Sequence, residues 1–390
     1  MKRIGFIVNP VAGIGGKVGL KGSDGEETLK KALELGAVPE SGKKALVALR
    51  VLGAAAELSE MEICTCPGDM GENVCKEAGL SCKVLDCMTG DHAGEWTSLA
   101  DTALVGKATS PADTVRAARM LCGLGADLIL FAGGDGTARN ILDAVGKSAA
   151  VLGIPAGCKI HSGVFAVNPK RAGELALRYM QGKVPRTKEA EVMDIDEEQF
   201  RQGRVQSRLY GYLKIPDDVR LVQNLKSGSR GGGQDSTERL AEYMADTWEN
   251  DVLYIVGGGS TTARIMERMH FANTLLGVDL VYSGQVVGTD CTEREILKAV
   301  SEYGKAKILV TVIGGQGYIF GRGNQQISAE VIRRVGRKNI IVAASEEKML
   351  ALFGKCLYVD TGDEEVNGYL HGYMRVLTGY GEYAVMKVTG

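Results

Sequence analysis

A carboxylate set among glycines is the feature of this sequence that most directly suggests chemistry. Residues 128–140 read Leu-Ile-Leu-Phe-Ala-Gly-Gly-Asp-Gly-Thr-Ala-Arg-Asn, a short apolar strand that runs straight into the start of a helix. Gly133, Gly134 and Gly136 lack Cβ, so we expect positive φ and close approach of a ligand to backbone N–H groups. Thr137 and the helix behind it would add hydrogen-bond donors and the positive end of a helix dipole. The pattern predicts a phosphate-binding turn.

Asp135 is the residue of this turn that does not fit simple anion binding. A carboxylate beside a bound phosphate is repelled unless it holds a metal ion or accepts a proton, which makes Asp135 the candidate catalytic residue. The alternative interpretation is that Asp135 merely caps the helix. The segment is neither a Walker loop, which needs Gly-Lys-Ser/Thr, nor a dinucleotide fingerprint, because Arg139 stands where the third glycine belongs. Metal ligands remain unassigned.

Two further glycine-rich turns follow apolar strands. The first begins with Asn9 and includes Gly13, directly after the strand Ile4 to Val8. The carboxyl edge of a parallel sheet is where open α/β folds bind ligands, so both residues are candidate phosphate contacts. The second turn opens a helix and carries hydroxyls in place of a carboxylate, which allows either anion binding or a purely structural turn. Its candidate residues are Gly258, Gly259, Ser260 and Thr261.

Composition limits the classes of partner. The 390 residues include 46 basic and 48 acidic side chains, a net charge of -2, so bulk electrostatics supports binding neither to nucleic acid nor to a membrane surface. No apolar run is long enough to span a bilayer, and the early first strand leaves no room for a signal peptide. We therefore expect a cytoplasmic protein; a homo-oligomer stays open.

The nine cysteines are expected to be reduced, partly buried thiols and not a metal site. Five of them fall in one segment without a paired Cys-x-x-Cys spacing. These five are Cys64, Cys66, Cys75, Cys82 and Cys87.

The order of elements predicts an α/β protein with two domains. Strands alternate with helices through residues 1–165, which predicts a doubly wound parallel sheet. Residues 166–390 predict a larger, mixed and β-rich second domain, in which 364–376 has helical spacing. The segment 226–236 is rich in glycine and serine and is either a mobile lid or a passive linker.

Four segments together resemble the ATP-NAD kinase superfamily, in particular its branch of predicted polyphosphate- or ATP-dependent NAD kinases that includes members linked to acetoin catabolism. They are Gly5-Phe-Ile-Val-Asn-Pro-Val-Ala-Gly-Ile-Gly-Gly, Phe131-Ala-Gly-Gly-Asp-Gly-Thr-Ala-Arg-Asn, Gly153-Ile-Pro-Ala-Gly-Cys-Lys-Ile-His-Ser-Gly-Val-Phe-Ala and Gly314-Gly-Gln-Gly-Tyr-Ile-Phe-Gly-Arg-Gly-Asn-Gln. The Gly-Gly-Asp-Gly-Thr core is shared with lipid kinases and, more loosely, with phosphofructokinases. It therefore specifies the superfamily and not the acceptor.

The resemblance implies phosphoryl transfer from ATP or polyphosphate, with Mg²⁺, to the 2′-hydroxyl of NAD. It assigns Asp135 the role of base and the neighbouring glycines and Thr137 the role of nucleotide contacts. It further implies a small-molecule nucleotide substrate, with residues 1–165 as the nucleotide-binding kinase domain and residues 166–390 as the substrate-binding domain. Two features depart from the NAD kinase pattern: residues 138–165 lack the usual Asn-Glu pair, and the second domain is larger. Three alternatives therefore stay open: a kinase of another small-molecule or lipid hydroxyl, a non-catalytic nucleotide-binding regulator and, as a weaker match to the glycine spacing, a dehydrogenase.

Overall fold

The computed structural model divides the chain into two compact units. It describes residues 1–20, 26–55, 61–87, 109–158, 160–195, 207–218, 221–222, 234–352 and 356–390. The first unit consists of Met1–Ile14 and Gly22–Gln223, and the second of Gly15–Lys21 and Asn224–Gly390. The boundary expected after residue 165 therefore lies inside the first unit.

A parallel sheet forms the centre of the first unit. In the described ranges its strands are β1 (Lys2–Val8), β2 (Met61–Thr65), β3 (Lys83–Val84), β4 (Leu128–Gly133) and β5 (Val151–Pro155), in the spatial order β3-β2-β1-β4-β5. All neighbouring pairs are parallel. Every residue of β4 and β5 is buried, as expected for strands covered on both faces. The predicted parallel sheet is confirmed.

Helices connect these strands. They are α1 (Glu26–Glu34), α2 (Ser41–Gly53), α3 (Glu72–Glu77), α4 (Pro111–Gly123), α5 (Asp135–Val145) and α6 (Pro169–Met180). α4 begins with Pro111 in its first turn and a capping box between Ser110 and Asp113. The buried faces of α2, α4, α5 and α6 join the sheet in one hydrophobic core.

A two-stranded antiparallel sheet explains why the first unit extends beyond residue 165. It consists of β6 (Thr187–Ile195) and β7 (Ser207–Pro216). Isolated backbone bridges join Ala150 to Lys214 and Gly153 to Phe165, which ties this part of the chain to β5. The β-rich composition after residue 165 was interpreted as a new domain, whereas the hairpin packs on the first one.

In the described part of the second unit, nine strands form a single mixed sheet. They are β8 (Leu253–Val256), β9 (Asp279–Tyr282), β10 (Gln285–Gly288), β11 (Ala306–Thr311), β12 (Tyr318–Phe320), β13 (Ile340–Ala343), β14 (Leu357–Val359), β15 (Gly372–Leu377) and β16 (Tyr383–Thr389). Their order is β10-β9-β8-β11-β13-β15-β16-β14-β12. The helices are α7 (Gln234–Asp246), α8 (Ser260–Arg268), α9 (Glu293–Tyr303), α10 (Ala329–Val335), α11 (Glu346–Leu350) and α12 (Glu364–Leu370). The predicted mixed, β-rich second part is confirmed.

The helix predicted over 364–376 is wrong in its second half. α12 ends at Leu370, and β15 follows from Gly372, which has a φ of +117°. Tyr373 and Arg375 are exposed whereas Met374 and Val376 are buried, the two-residue period of a strand. β15 then pairs with β16 in antiparallel register. The residues of the predicted lid that are described, 234–236, begin α7, and 226–233 lie outside the described residues.

The fold brings one pair of the cysteines together. Cys66 and Cys87 have Cα atoms 6.2 Å apart, a separation that a disulfide can span, because they lie just beyond the ends of the neighbouring strands β2 and β3. No disulfide joins the remaining cysteines, which are Cys64, Cys75, Cys82, Cys122, Cys158, Cys291 and Cys356. Within the described ranges, no helix combines the length and apolar character needed to cross a bilayer.

Candidate active site

The residues predicted from the first two glycine turns meet at one edge of the parallel sheet. In the order β3-β2-β1-β4-β5, connections leave β1 in one direction and β4 in the other, so the switch point lies between these two strands. Asn9 follows β1 and Asp135 follows β4. A crevice outside such a switch point is the usual ligand site of open α/β sheets.

A side-chain hydrogen bond connects the two turns across this switch point. Asn9 Nδ2 donates to Thr137 Oγ1 at 2.9 Å, and the backbone N–H of Asn9 donates to the carbonyl of Ala132 at 2.9 Å. Thr137 is buried in the first turn of α5, where the backbone N–H groups have no partner within the helix. The structure therefore brings the two candidate residues Asn9 and Thr137 together in one place.

The Asp135 carboxylate is buried and bound on both oxygens. Oδ2 accepts hydrogen bonds from the backbone N–H of His161 at 2.7 Å and contacts its ring Nδ1 at 3.0 Å. Oδ1 accepts from the backbone N–H of Ser162 at 3.0 Å and from its hydroxyl at 2.6 Å. Only 4% of the Asp135 side chain is exposed. Since Gly134 is the N-cap residue and the carboxylate bonds to the loop after β5, the alternative in which Asp135 caps α5 is wrong.

Ser162 anchors this loop to the neighbouring hairpin. Its hydroxyl lies 2.8 Å from the carbonyl of Met193 and accepts from the backbone N–H of Met193 at 3.0 Å. Ser162 is fully buried. The same hydroxyl therefore connects the carboxylate of Asp135 to β6.

The glycines of the core turn work differently from the prediction. Gly133, Gly134 and Gly136 do not have positive φ, and Gly134 has a φ of −119°. A Cβ on Gly133 would lie 2.4 Å from the side chain of Thr137. The missing Cβ thus allows close packing within the turn and not a left-handed backbone.

Gly13 is the candidate residue that does require its unusual backbone. Its φ is +77°, and a Cβ there would lie 2.1 Å from the carbonyl oxygen of Ala156. Ala156 and Gly157 in turn donate their backbone N–H groups to the carbonyl of Gly133. The loops after β1, β4 and β5 therefore pack in direct contact, backbone against backbone.

Arg139, a basic residue on α5, is engaged by other side chains of the first unit. It forms an ion pair with Asp194, with Nη1 and Oδ2 2.9 Å apart, and its guanidinium lies 4.3 Å from the centre of the Tyr210 ring. Two other basic residues of the chain, Lys159 and Lys226, lie outside the described residues.

The remaining candidates form a separate turn in the second unit. Gly259, with a φ of +147°, is the N-cap of α8, Ser260 is exposed and Thr261 is buried. Lys348 Nζ donates to the hydroxyl of Thr261 at 2.8 Å and to that of Thr311 at 3.0 Å. A Cβ on the fourth candidate, Gly258, would lie 2.9 Å from the backbone of Leu276. The turn is thus built from β8, β11 and α11 of its own unit.

The described residues offer no cluster of side chains suited to bind a divalent ion. No group of three or more His, Cys, Asp or Glu side chains there is arranged to hold a metal ion. Asp135 does not fit as a ligand in this arrangement, because both of its oxygens are already bound by protein donors. We therefore derive no step through a protein-bound ion.

Sequence reasoning missed His161 and Ser162. Both lie in the loop after β5, which the sequence already placed at the same sheet edge. The signal was therefore present in Gly153-Ile-Pro-Ala-Gly-Cys-Lys-Ile-His-Ser, where a histidine and a hydroxyl follow a strand adjacent to β4. What the sequence lacks is any local indication that they reach a carboxylate 26 residues earlier.

Comparison with known proteins gives one informative kind of match. No curated protein matches the chain. Among solved structures, it is similar to a solute-binding protein of an ABC transporter from Rhodopseudomonas palustris BisB5, solved with 3,4-dihydroxybenzoic acid. The identity is 13% and the TM-score 0.26, over 89% of this chain and 62% of that one. The chain thus spans less than two thirds of that protein, and such a low TM-score supports no structural argument.

Family models match both parts of the chain. The ATP-NAD kinase N-terminal domain matches residues 4–184, which include most of β1, all of β4 and β5, and Asp135 with its partners His161 and Ser162. The ATP-NAD kinase C-terminal domain matches residues 249–388, most of the described second unit. The chain belongs to the ATP-NAD kinase family.

Proposed function

We propose that this protein is a cytoplasmic kinase that transfers the γ-phosphoryl group of ATP to the 2′-hydroxyl of NAD, giving NADP. The observation that supports it most is the position of Asp135: the aspartate of the Gly-Gly-Asp-Gly-Thr core lies at the switch point of the sheet, in a chain that matches both kinase domains. Polyphosphate is a second donor to be tested.

The two parts of the chain have different roles in this proposal. The first domain binds nucleotide phosphates through backbone N–H groups at the start of α5 and through the loop after β1. Its contacts are Asn9, Gly13, Gly133, Gly134, Gly136 and Thr137. The second domain binds substrate, with further phosphate contacts at Gly258, Gly259, Ser260 and Thr261. Lys348 supports that second assignment because it places a positive charge beside the N-terminus of α8, where an anion is stabilised.

The turn at the start of α5 suits phosphoryl transfer. The reaction requires mainly alignment of two substrates and stabilisation of negative charge, which backbone donors supply without reorganisation. Mg²⁺ enters with the donor, bound to its phosphate oxygens. Asp135 belongs to the acid–base machinery that handles the proton of the acceptor hydroxyl.

A product assay tests this proposal. Purified protein is incubated with ATP and Mg²⁺ against a panel of NAD, NADH, nucleosides, sugars and lipids, and the gain of one phosphate is followed by mass spectrometry. We expect phosphorylated NAD, which an NADP-specific dehydrogenase then reduces. Asp135→Asn should lower turnover on the order of 10²–10⁴-fold. The matched control is Asp143→Asn, an exposed aspartate on the same helix.

The outcomes separate the alternatives. Product with another hydroxyl compound but none with NAD would assign a different acceptor. Nucleotide binding in a thermal-shift assay without any product would identify a non-catalytic regulator and contradict the kinase proposal. Asp135→Asn with the turnover of Asp143→Asn would remove Asp135 from the chemistry.

A further inference from the structure

The contacts of Asp135 define how a proton leaves the acceptor hydroxyl. We infer that His161 accepts this proton at Nε2 and that Asp135 is a positioning residue, which holds the imidazole ring and stabilises its charged form. The inference rests on the proposed phosphoryl transfer and assigns a residue to it that the Gly-Gly-Asp-Gly-Thr core does not contain.

The acceptor positions of Asp135 are occupied within the protein. A carboxylate has about four acceptor positions, and four groups lie against them: two backbone N–H groups, one ring nitrogen and the Ser162 hydroxyl, whose proton is shared with the carbonyl of Met193. A substrate hydroxyl that bonded directly to Asp135 would have to displace one of these donors. Burial does not distinguish the two side chains, since 4% of Asp135 and 8% of His161 is exposed, so the occupied acceptor positions carry the argument. Leaving a buried donor unpaired is unfavourable, so this displacement opposes binding.

His161 has the complementary arrangement. An ionised carboxylate only accepts hydrogen bonds, so the 3.0 Å contact with Oδ2 places the proton of the neutral ring on Nδ1. The lone pair is then on Nε2, at the opposite end of the ring. The backbone N–H of His161 bonds to the same oxygen at 2.7 Å, which fixes the residue at two points. A histidine oriented in this way by a buried carboxylate is a recurrent general base.

The step balances in atoms and charge. The oxygen of the acceptor hydroxyl forms a bond to the γ-phosphorus of ATP while the bond from that phosphorus to the bridging oxygen breaks, releasing ADP. The hydroxyl proton passes to His161 Nε2. The ring becomes an imidazolium next to the Asp135 carboxylate and returns its proton to solvent once the product has left.

His161→Asn separates the two roles of the histidine. The asparagine Nδ2–H occupies roughly the place of the ring Nδ1–H, so it keeps a donor for Asp135 Oδ2 but offers no base at the position of Nε2. We expect kcat to fall on the order of 10²–10⁴-fold, with KM within about threefold of wild type. His270→Asn is the matched control, since His270 is exposed and its φ of +59° suits asparagine.

Combining the substitutions tests whether Asp135 acts through His161. If it does, adding Asp135→Asn to His161→Asn lowers kcat by less than about threefold more, because residues that act as a unit are non-additive. A further loss on the order of 10²-fold would make Asp135 itself the base and overturn the inference. A folded His161→Asn protein with kcat within about fivefold of wild type would also overturn it. Wild-type protein that forms no phosphorylated product would instead refute the proposed function, and this inference with it.

A measurement on the wild-type protein does not depend on the folding of any variant. The chain contains four histidines, so a sample with ¹⁵N-labelled histidine gives few ring signals. At pH 8 we expect His161 in the Nδ1–H tautomer. Observation of the Nε2–H tautomer would mean that the lone pair faces Asp135, and would overturn the inference.

Discussion

Ser162→Ala should destabilise the first unit. The Ser162 side chain is fully buried and contributes a short hydrogen bond of 2.6 Å to Asp135 Oδ1. It also accepts from the backbone N–H of Met193 at 3.0 Å. Alanine removes both contacts and leaves the Met193 N–H without this acceptor.

The expected magnitude follows from these two bonds. A hydrogen bond to a charged group contributes about 1.5–3 kcal/mol, and a neutral one about 0.5–1.5 kcal/mol. The hydroxyl proton is shared between Asp135 and the carbonyl of Met193, so we count one donated bond and one accepted bond. The free energy of unfolding should therefore fall by about 2–4 kcal/mol.

Urea unfolding, followed by a probe in the first unit, measures this change. The control is Ser148→Ala, an exposed serine of the same unit, which should change stability by less than about 0.5 kcal/mol. Turnover should fall less than for His161→Asn, because the backbone N–H of Ser162 still holds Oδ1. A stability loss equal to that of the control would refute the claim that this hydroxyl supports the carboxylate.

Three other predictions concern packing, reactivity and pH. Gly13→Ala should lower the free energy of unfolding by about 1–3 kcal/mol more than Gly36→Ala does. Both glycines have a left-handed backbone, but only at Gly13 would the added Cβ lie against the carbonyl of Ala156. An equal loss of stability in the two variants would contradict this prediction. Burial raises the pKa of the Cys291 thiol to about 12, so iodoacetamide at pH 8 should label it in unfolded but not in native protein, as read by peptide mass spectrometry. Hydrogen bonds from the backbone N–H and the hydroxyl of Thr292, the N-cap residue of α9, lower the pKa of Glu295 below 4.5, so the charged Glu295 stabilises the fold above that pH and this stabilisation is lost as the pH falls through the lowered pKa. Glu295→Gln should therefore lower the free energy of unfolding at pH 7 and leave it unchanged in strong acid. A difference between variant and wild type that persists in strong acid would contradict this prediction.

The first half of the fold could be predicted because its local signals agree. The apolar run of β4 followed by glycines and a helix-forming segment predicts a strand, a turn and a helix without competition. The capping box and Pro111 fix the start of α4 in the same way. Where several local sequence signals agree, the secondary structure of the folded protein is the one that these signals predict.

The errors occurred where long-range contacts decide. The chain after residue 165 was assigned to a second domain because of its composition, but backbone bridges to β5 keep it in the first unit. The segment 364–376 has apolar residues at spacings compatible with a helix, and the unusual backbone of Gly372 ends the helical part. Pairing with β16 then provides β15 with a partner that no local pattern reveals.

The candidate site shows the same division between local and long-range information. Sequence alone identified Asp135 and the turn around it, since a carboxylate among glycines is rare enough to be noticed. The roles of the glycines were misjudged, because a missing Cβ serves close packing as well as positive φ and only the neighbouring side chain of Thr137 distinguishes the two. His161 and Ser162 could not be assigned, because their contact with Asp135 exists only in the folded chain.

The packing of the loops connects the architecture of the site to its chemistry. The carbonyl of Gly133 accepts the N–H groups of Ala156 and Gly157, and Asp135 accepts those of His161 and Ser162. The loops after β4 and β5 are therefore held together by backbone bonds before any substrate arrives. A base that must act within a few tenths of an ångström benefits from such support, because the orientation is established during folding and not during the reaction. The buried carboxylate is thus better suited to hold a base than to be one.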